Sequence, residues 1–377
     1  METKPRSGKL RKISCGVILG LVALCLAGAA LSALSNLTLP KGPERLDRLD
    51  PLDKIRLEET LHLKITLGEA VWPGLGATHI PVSLHNQTYS FLIDFENQPP
   101  ADWQIVSGDD FQGKSYYRRA ETDAQNFAIP VGDRWAAGMA TKSETDQFII
   151  ELYQGFLPPV IEQIFPYRLL LQPTETQIGG VLHESFHVFQ ALNAPERLDT
   201  AEKAHQLGED YWNRTDLDLW KDEMNLLVKA LEAKTEAETA ELARQFLTHR
   251  EARRQQAGLT PELVDYERQL EWEEGLAKYV ELDFLKQAYE TKDYLPIAEM
   301  SQDPAFKTYR SFKQRWSQEL IQMKLEVNQK GEVSLYQTGM AQAFLLDRLS
   351  PGWKTKALKT NIFLEDVLKA AVANYQP

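Results

Sequence analysis

His183 and His187 stand four residues apart in a stretch whose apolar residues recur at helical spacing, and this pair constrains the chain more than any other feature. Ile178, Val181, Leu182, Val188, Phe189 and Leu192 form one stripe that runs to Asn193 and a stop at Pro195, while Thr174 and Gln177 have the T-x-x-Q form of a capping box. The spacing predicts a buried helix. On such a helix, residues four apart lie on one face a turn apart, so two imidazoles can converge on one tetrahedral metal ion. Glu184, beside that face, can reach a water held by the ion and take its proton. The plainer alternative is a core helix whose two histidines only hydrogen-bond to their neighbours.

Two histidines need a third donor. The chain has two cysteines, Cys15 and Cys25, and both fall in an apolar segment near its start, so a His-His-carboxylate set is the zinc chemistry left to the rest. Glu267, Glu271, Glu274, Lys278 and Glu281 recur at three- and four-residue spacing, which is also how a solvated charged helix face reads. Among these acids Glu274 is favoured, because Gly275 and Ala277 leave room for a second helix to come close. Glu273 and His205 are the rivals.

The stretch Glu271-Trp272-Glu273-Glu274-Gly275-Leu276-Ala277-Lys278-Tyr279, taken with the H-E-x-x-H pattern of residues 183–187, resembles the gluzincin metallopeptidases. There a Glu directly before Gly, in a W-x-x-E-G-x-A-x-Y type pattern, completes the zinc site. The resemblance implies that His183, His187 and Glu274 bind zinc and that Glu184 is the catalytic base. Trp272 sits one residue closer to the Glu than in that pattern, and 87 residues separate His187 from Glu274, which implies an insertion between the ligand helices. Leu335-Tyr336-Gln337-Thr338-Gly339 resembles the helix start from which, in the aminopeptidase branch, a Tyr points at the oxyanion, so the resemblance makes Tyr336 catalytic; an ordinary aromatic at a helix start is the other reading. The metzincin extension is excluded by Gln190 and Asn193, and the aminopeptidase G-x-M-E-N signature is missing, with Gly138-Met139-Ala140-Thr141 the nearest approach. What the resemblance implies is a zinc peptidase acting on a peptide or protein substrate. The alternative is an inactive zincin-fold module that binds or scaffolds at a membrane surface.

Lys4, Arg6, Lys9, Arg11 and Lys12 precede an uncharged apolar run from Ile13 to Leu34, long enough to cross a bilayer, with its basic flank predicting export of the residues beyond it. The expectation is a single-pass anchor with the rest of the chain outside the cytoplasm; cleavage near Ala29, Ala30, Ser32 and Ala33, giving a secreted or periplasmic protein, is the alternative. A net charge of −12 argues against nucleic acid and acidic lipid surfaces as partners.

Residues 35–56, with Pro40, Pro43 and Pro51, read as a linker. Residues 57–145 read as a β-rich subdomain, with runs at Leu61–Leu67, His79–Leu84, Tyr89–Phe95 and Phe127–Val131. Residues 146–377 read as the zincin-like domain. Within it a broken helix covers Phe148–Phe165, a short strand Tyr167–Leu171 lies where an extended substrate would pair, and a helical insertion spans about 198–256, whose charges read as a solvated face. The expected class is α+β, a zincin-like metallopeptidase fold with an N-terminal β-rich subdomain and a mostly helical C-terminal part.

Overall fold

The computed structural model describes residues 7–120, 124, 126–326, 330–359 and 362–375, without the side chains of 7–20, 22 and 326. Its elements run α1 (Ser7–Asn36), α2 (Pro51–Val71), β1 (Val82–His85), β2 (Tyr89–Ile93), β3 (Gln104–Ile105), β4 (Tyr117–Ala120), β5 (Phe127–Val131) and β6 (Arg134–Ala140). Then come α3 (Lys142–Phe156), α4 (Pro159–Ile164), α5 (Thr174–Asn193), α6 (Pro195–Ala204), α7 (Gly208–Arg214), α8 (Leu217–Glu232) and α9 (Glu236–Gln256). The chain closes with α10 (Pro261–Glu290), α11 (Phe312–Glu326), α12 (Val333–Leu349), α13 (Lys354–Ala357) and α14 (Leu364–Asn374). The class is α+β, with one mixed sheet of six strands in the order β3-β4-β2-β1-β6-β5 among the described residues. Among the described residues only β1 and β6 run parallel, Val82 facing Ala137 and His85 facing Ala140; β5 returns beside β6 and no described strand pairs with its other edge.

The chain divides into two compact units. One holds Met1–Glu44 with Thr141–Gln172, and the other Arg45–Ala140 with Pro173–Pro377. In the second unit α5 packs against β5 and β6 and against α10, and α10 runs along α12. That last contact is a backbone approach. A Cβ on Gly275 would fall 2.5 Å from the Cα of Gly339, and one on Gly339 would fall 2.3 Å from the Glu271 carbonyl oxygen, so both positions must be glycine for the two helices to meet. The room that Gly275 leaves is therefore used by α12 and not, as expected, by the histidine helix.

Several expectations are corrected. Leu61–Leu67 is helix, inside α2, not strand, and the region read as a linker already enters that helix at Pro51. The alternation of Leu61, Leu63, Ile65 and Leu67 misleads because the buried set is Leu57, Leu63, Leu67 and Val71, a helical face, with Ile65 in solvent. Asp50 caps the helix, its side chain accepting from the Leu52 N–H at 2.9 Å, and Pro51 sits where no N–H is needed. Tyr167–Leu171 is not a strand: after Pro166 the chain closes into a 3₁₀ turn over Tyr167–Leu169, Leu169 N–H donating to the Pro166 carbonyl at 3.0 Å. The capping box does not form either. The Thr174 hydroxyl donates instead to Asp303 at 2.6 Å, and Gln177 donates to the Ala140 carbonyl.

The run from 219 to 256 forms α8 and α9, joined by three residues and packed on each other. Its charges are not all in solvent. Arg250, Arg253 and Arg254 are buried among Glu223, Glu267, Glu271 and Glu365, with Arg250 donating to both oxygens of Glu271 at 2.6 and 2.9 Å and to Glu223 at 2.8 Å. The pair α8 and α9 is thus fastened to α10 by ion pairs within the core. On α10 itself, Glu267, Glu271, Glu274 and Glu281 are all buried, so the solvated-face reading of that spacing is overturned as well.

Candidate metal centre

The stripe of α5 buries Ile178, Val181, Leu182, Phe186, Val188 and Phe189 and leaves His183 and His187 facing α10. There the Nε2 atoms of the two imidazoles lie 3.1 Å apart, and Oε2 of Glu274 lies 3.2 Å from His183 Nε2 and 3.4 Å from His187 Nε2. Among the described residues this is the one group of three donors able to share an ion. A tetrahedral ion bound at about 2.0–2.1 Å needs its donor atoms about 3.3–3.4 Å apart, and the triangle's edges come within about 0.2 Å of that.

Partners behind the donors fix their roles. Nδ1 of His187 lies 2.9 Å from Oε1 of Gln190, and the Gln190 amide nitrogen donates to the carbonyls of Trp272 at 2.9 Å and Glu273 at 3.2 Å. Those two bonds orient the amide so that its oxygen accepts from Nδ1–H of His187, which turns Nε2 toward Glu274 as the ring nitrogen available to an ion. Phe127 of β5 packs on the same imidazole with ring centres 4.7 Å apart and planes tilted by 38°. Nδ1 of His183 faces Oε2 of Glu281 at 3.7 Å, and Gly179 makes room for that carboxylate, since a Cβ there would fall 2.9 Å from Glu281 Cγ. Lys278 and Arg315 hold Glu281 from its other side at 3.1 and 3.3 Å.

Charge is concentrated accordingly. Burial disfavours a charged His183, but Glu274 and Glu281 outweigh it and hold the imidazole up at about 10. Burial likewise opposes the charge on Glu274, yet His187 and His183 keep its carboxyl well below the usual range. Glu184 behaves differently: burial pushes its carboxyl up, and its Oε2 has no hydrogen-bond partner in the structure. A buried carboxylate oxygen without a partner, next to a set of convergent donors, fits a site that holds a cation and a water.

Every residue proposed for the site from the sequence falls in this second unit, and they sort into two groups. Tyr336, in the first turn of α12, lies beside His183 with ring centres 6.4 Å apart. Burial, and then the charge of Glu274 with a hydrogen bond to it, keep the phenol well above its ordinary range and so protonated. The rival donors Glu273 and His205 face each other instead, Oε2 to Nε2 at 3.2 Å, and Nδ1 of His205 meets Glu332 at 3.0 Å. Adjacent residues on a helix point about 100° apart, which separates Glu273 from Glu274. Gln190, Glu332 and Phe127 carry no mark in the sequence for this site; position 190 bears only on the metzincin pattern, and nothing in the local pattern signals the other two.

Replacing Gln190 by leucine should weaken metal binding by about 10- to 100-fold while Gln190→Glu, which keeps an acceptor for Nδ1–H, should retain most of it. Competition against a chelator reads this directly, and equal affinities in the two variants would remove the orienting role. Comparison with family models, with curated proteins and with solved structures finds no match to this chain.

Proposed function

We propose that this protein is a zinc-dependent peptidase of gluzincin type, with a zincin-like fold, held at a membrane by its N-terminal segment and acting outside the cytoplasm. The observation that carries the reading is the triangle of His183 Nε2, His187 Nε2 and Glu274 Oε2, with its three edges of 3.1, 3.2 and 3.4 Å. Two imidazole nitrogens and one carboxylate oxygen suit zinc better than the oxygen-seeking calcium or magnesium, and three protein donors are the number catalytic zinc sites use. A zinc ion held there would polarise a peptide carbonyl and lower the pKa of a water toward about 7.

The chain's own residues supply the rest. Glu184 is placed next to the donors without being one of them, and its raised, unpartnered carboxylate is suited to take a proton from water and return it to the departing amine. The protonated phenol of Tyr336 would donate to the carbonyl oxygen as negative charge develops on it. With Tyr167–Leu171 a turn, the strand able to pair with an extended peptide is β5, whose edge is open and whose Phe127 touches His187. Among the described residues no helix is long and apolar enough to cross a membrane; much of the segment read as an anchor, 13–34, has its side chains outside the description, and the tether rests on its sequence.

Zinc content per chain tests this reading. The wild-type protein should carry one zinc, Glu274→Ala should carry none, and Glu273→Ala should keep it, because Glu273 is turned toward His205. A metal-refed wild type with no zinc would end the proposal, as would loss of zinc from the Glu273 variant alone.

A further inference from the structure

The unit formed by Met1–Glu44 and Thr141–Gln172 is one fifth of the chain, yet it holds fourteen of the twenty-one large apolar side chains that stand exposed among the described residues. Soluble surfaces seldom gather apolar groups in this way. In α3 the exposed large apolar residues are Phe148, Leu152, Tyr153 and Phe156, of which Phe148, Leu152 and Phe156 are each four positions apart and share a face, and past the extended break at Leu157 and Pro158 those of α4 are Val160, Ile161 and Ile164. Phe156 is 79% exposed and Val160 75%. In α1, by contrast, Leu24 and Leu26 are both exposed although residues two apart on a helix point about 200° away from each other. A protein partner covers one face of a helix, whereas lipid covers all of them.

The end of that surrounded helix is fastened to α4. The Asn36 side chain donates to the carbonyls of Phe165 at 2.9 Å and Gln163 at 3.2 Å, and Arg168 donates to the Thr38 carbonyl at 2.9 Å. Tyr153 of α3 stacks on Phe165 with ring centres 5.6 Å apart, which ties α3 into the same junction. The exposed apolar residues of α3 and α4 therefore belong to elements tied to the end of α1.

We propose that α3 and α4 are an interfacial element that lies in the headgroup boundary of a lipid bilayer beside the end of α1, with Phe148, Leu152, Phe156 and Val160 inserted among the acyl chains. The proposal rests on the reading of α1 as a membrane anchor. An amphipathic helix held this way sinks about 5–10 Å into the boundary and needs no anionic lipid, in keeping with the chain's net charge of −12. The element would give the tethered protein a second, short-range attachment besides the span.

The test uses the full chain with Cys15→Ser and Cys25→Ser, reconstituted in phosphatidylcholine vesicles. Single cysteines are introduced as Phe156→Cys, Leu26→Cys and Ile105→Cys and labelled with an environment-sensitive dye, Ile105 being an exposed apolar residue of the other unit. When lipids carrying a nitroxide high on the acyl chain are added, the dyes at 156 and 26 should lose most of their emission and the dye at 105 should lose none. A dye at 156 as bright as that at 105, with 26 quenched, would overturn the interfacial element and leave the anchor standing. Emission unaffected at both 156 and 26 would overturn the anchor and the proposal with it. Self-quenching at 156 between labelled copies, without quenching by lipid nitroxide, would assign the surface to a second copy of the chain and so overturn the proposal.

Discussion

Glu184→Gln is expected to keep the full complement of zinc and to lose turnover by about 10²- to 10⁴-fold, the range over which a positioned acid-base group acts. The amide has the size of the carboxylate, so the packing of α5 around this buried side chain is preserved. None of the three donor atoms of the triangle belongs to Glu184, so metal should stay. What the substitution would remove is a carboxylate able to accept and return a proton, the group whose Oε2 is buried without a partner. His187→Ala supplies the contrast. It removes a corner of the triangle and should lose zinc and activity together. Metal analysis and a peptide-hydrolysis assay on the two variants separate the roles, and wild-type turnover in Glu184→Gln would defeat the mechanism.

Two corners of the triangle were legible because their geometry is local. Four-residue spacing on α5 sets the relation of His183 to His187, whereas the Glu-Gly step singled out Glu274 by resemblance, the room beside Gly275 being taken by α12. Tyr336 was legible only by resemblance. What could not be read is depth. Arg250, Arg253 and Arg254 recur three and four residues apart in a polar stretch just as a solvated face would, and nothing in that spacing distinguishes a charge in water from one paired in the core. Glu281 stood in the same ambiguous series and proves to be the carboxylate behind His183. The partnership of Glu273 with His205 depends on where a residue 68 positions away returns in space, which periodicity does not report. α2 was misread for another reason: a short apolar run that alternates by twos also satisfies a helix when every second residue need not be buried.

Arg250→Met is expected to cost about 3–5 kcal/mol of stability, the effect of leaving buried charges without their counterion. Arg250 is 1% exposed and donates to Glu223 and, with both terminal nitrogens, to Glu271; methionine fills a similar volume but satisfies neither acid. The cost bears on the site as well as on the fold. Glu271 lies one turn before Glu274 on α10, and its Oε1 also accepts from the Thr338 hydroxyl at 2.5 Å, two residues beyond Tyr336 on α12. The buried network thus joins α9 to the two helices that carry the third donor and the phenol, so loosening it should weaken zinc retention in the folded fraction. Charge accounts for the loss if Arg250→Met combined with Glu223→Gln and Glu271→Gln recovers a large part of it, because neutral buried groups do not carry the penalty of unpaired ions. Urea denaturation with zinc analysis on the single and triple variants measures both effects. A single-variant loss below about 1 kcal/mol, the scale of a surface ion pair, would show that the network does not brace the centre.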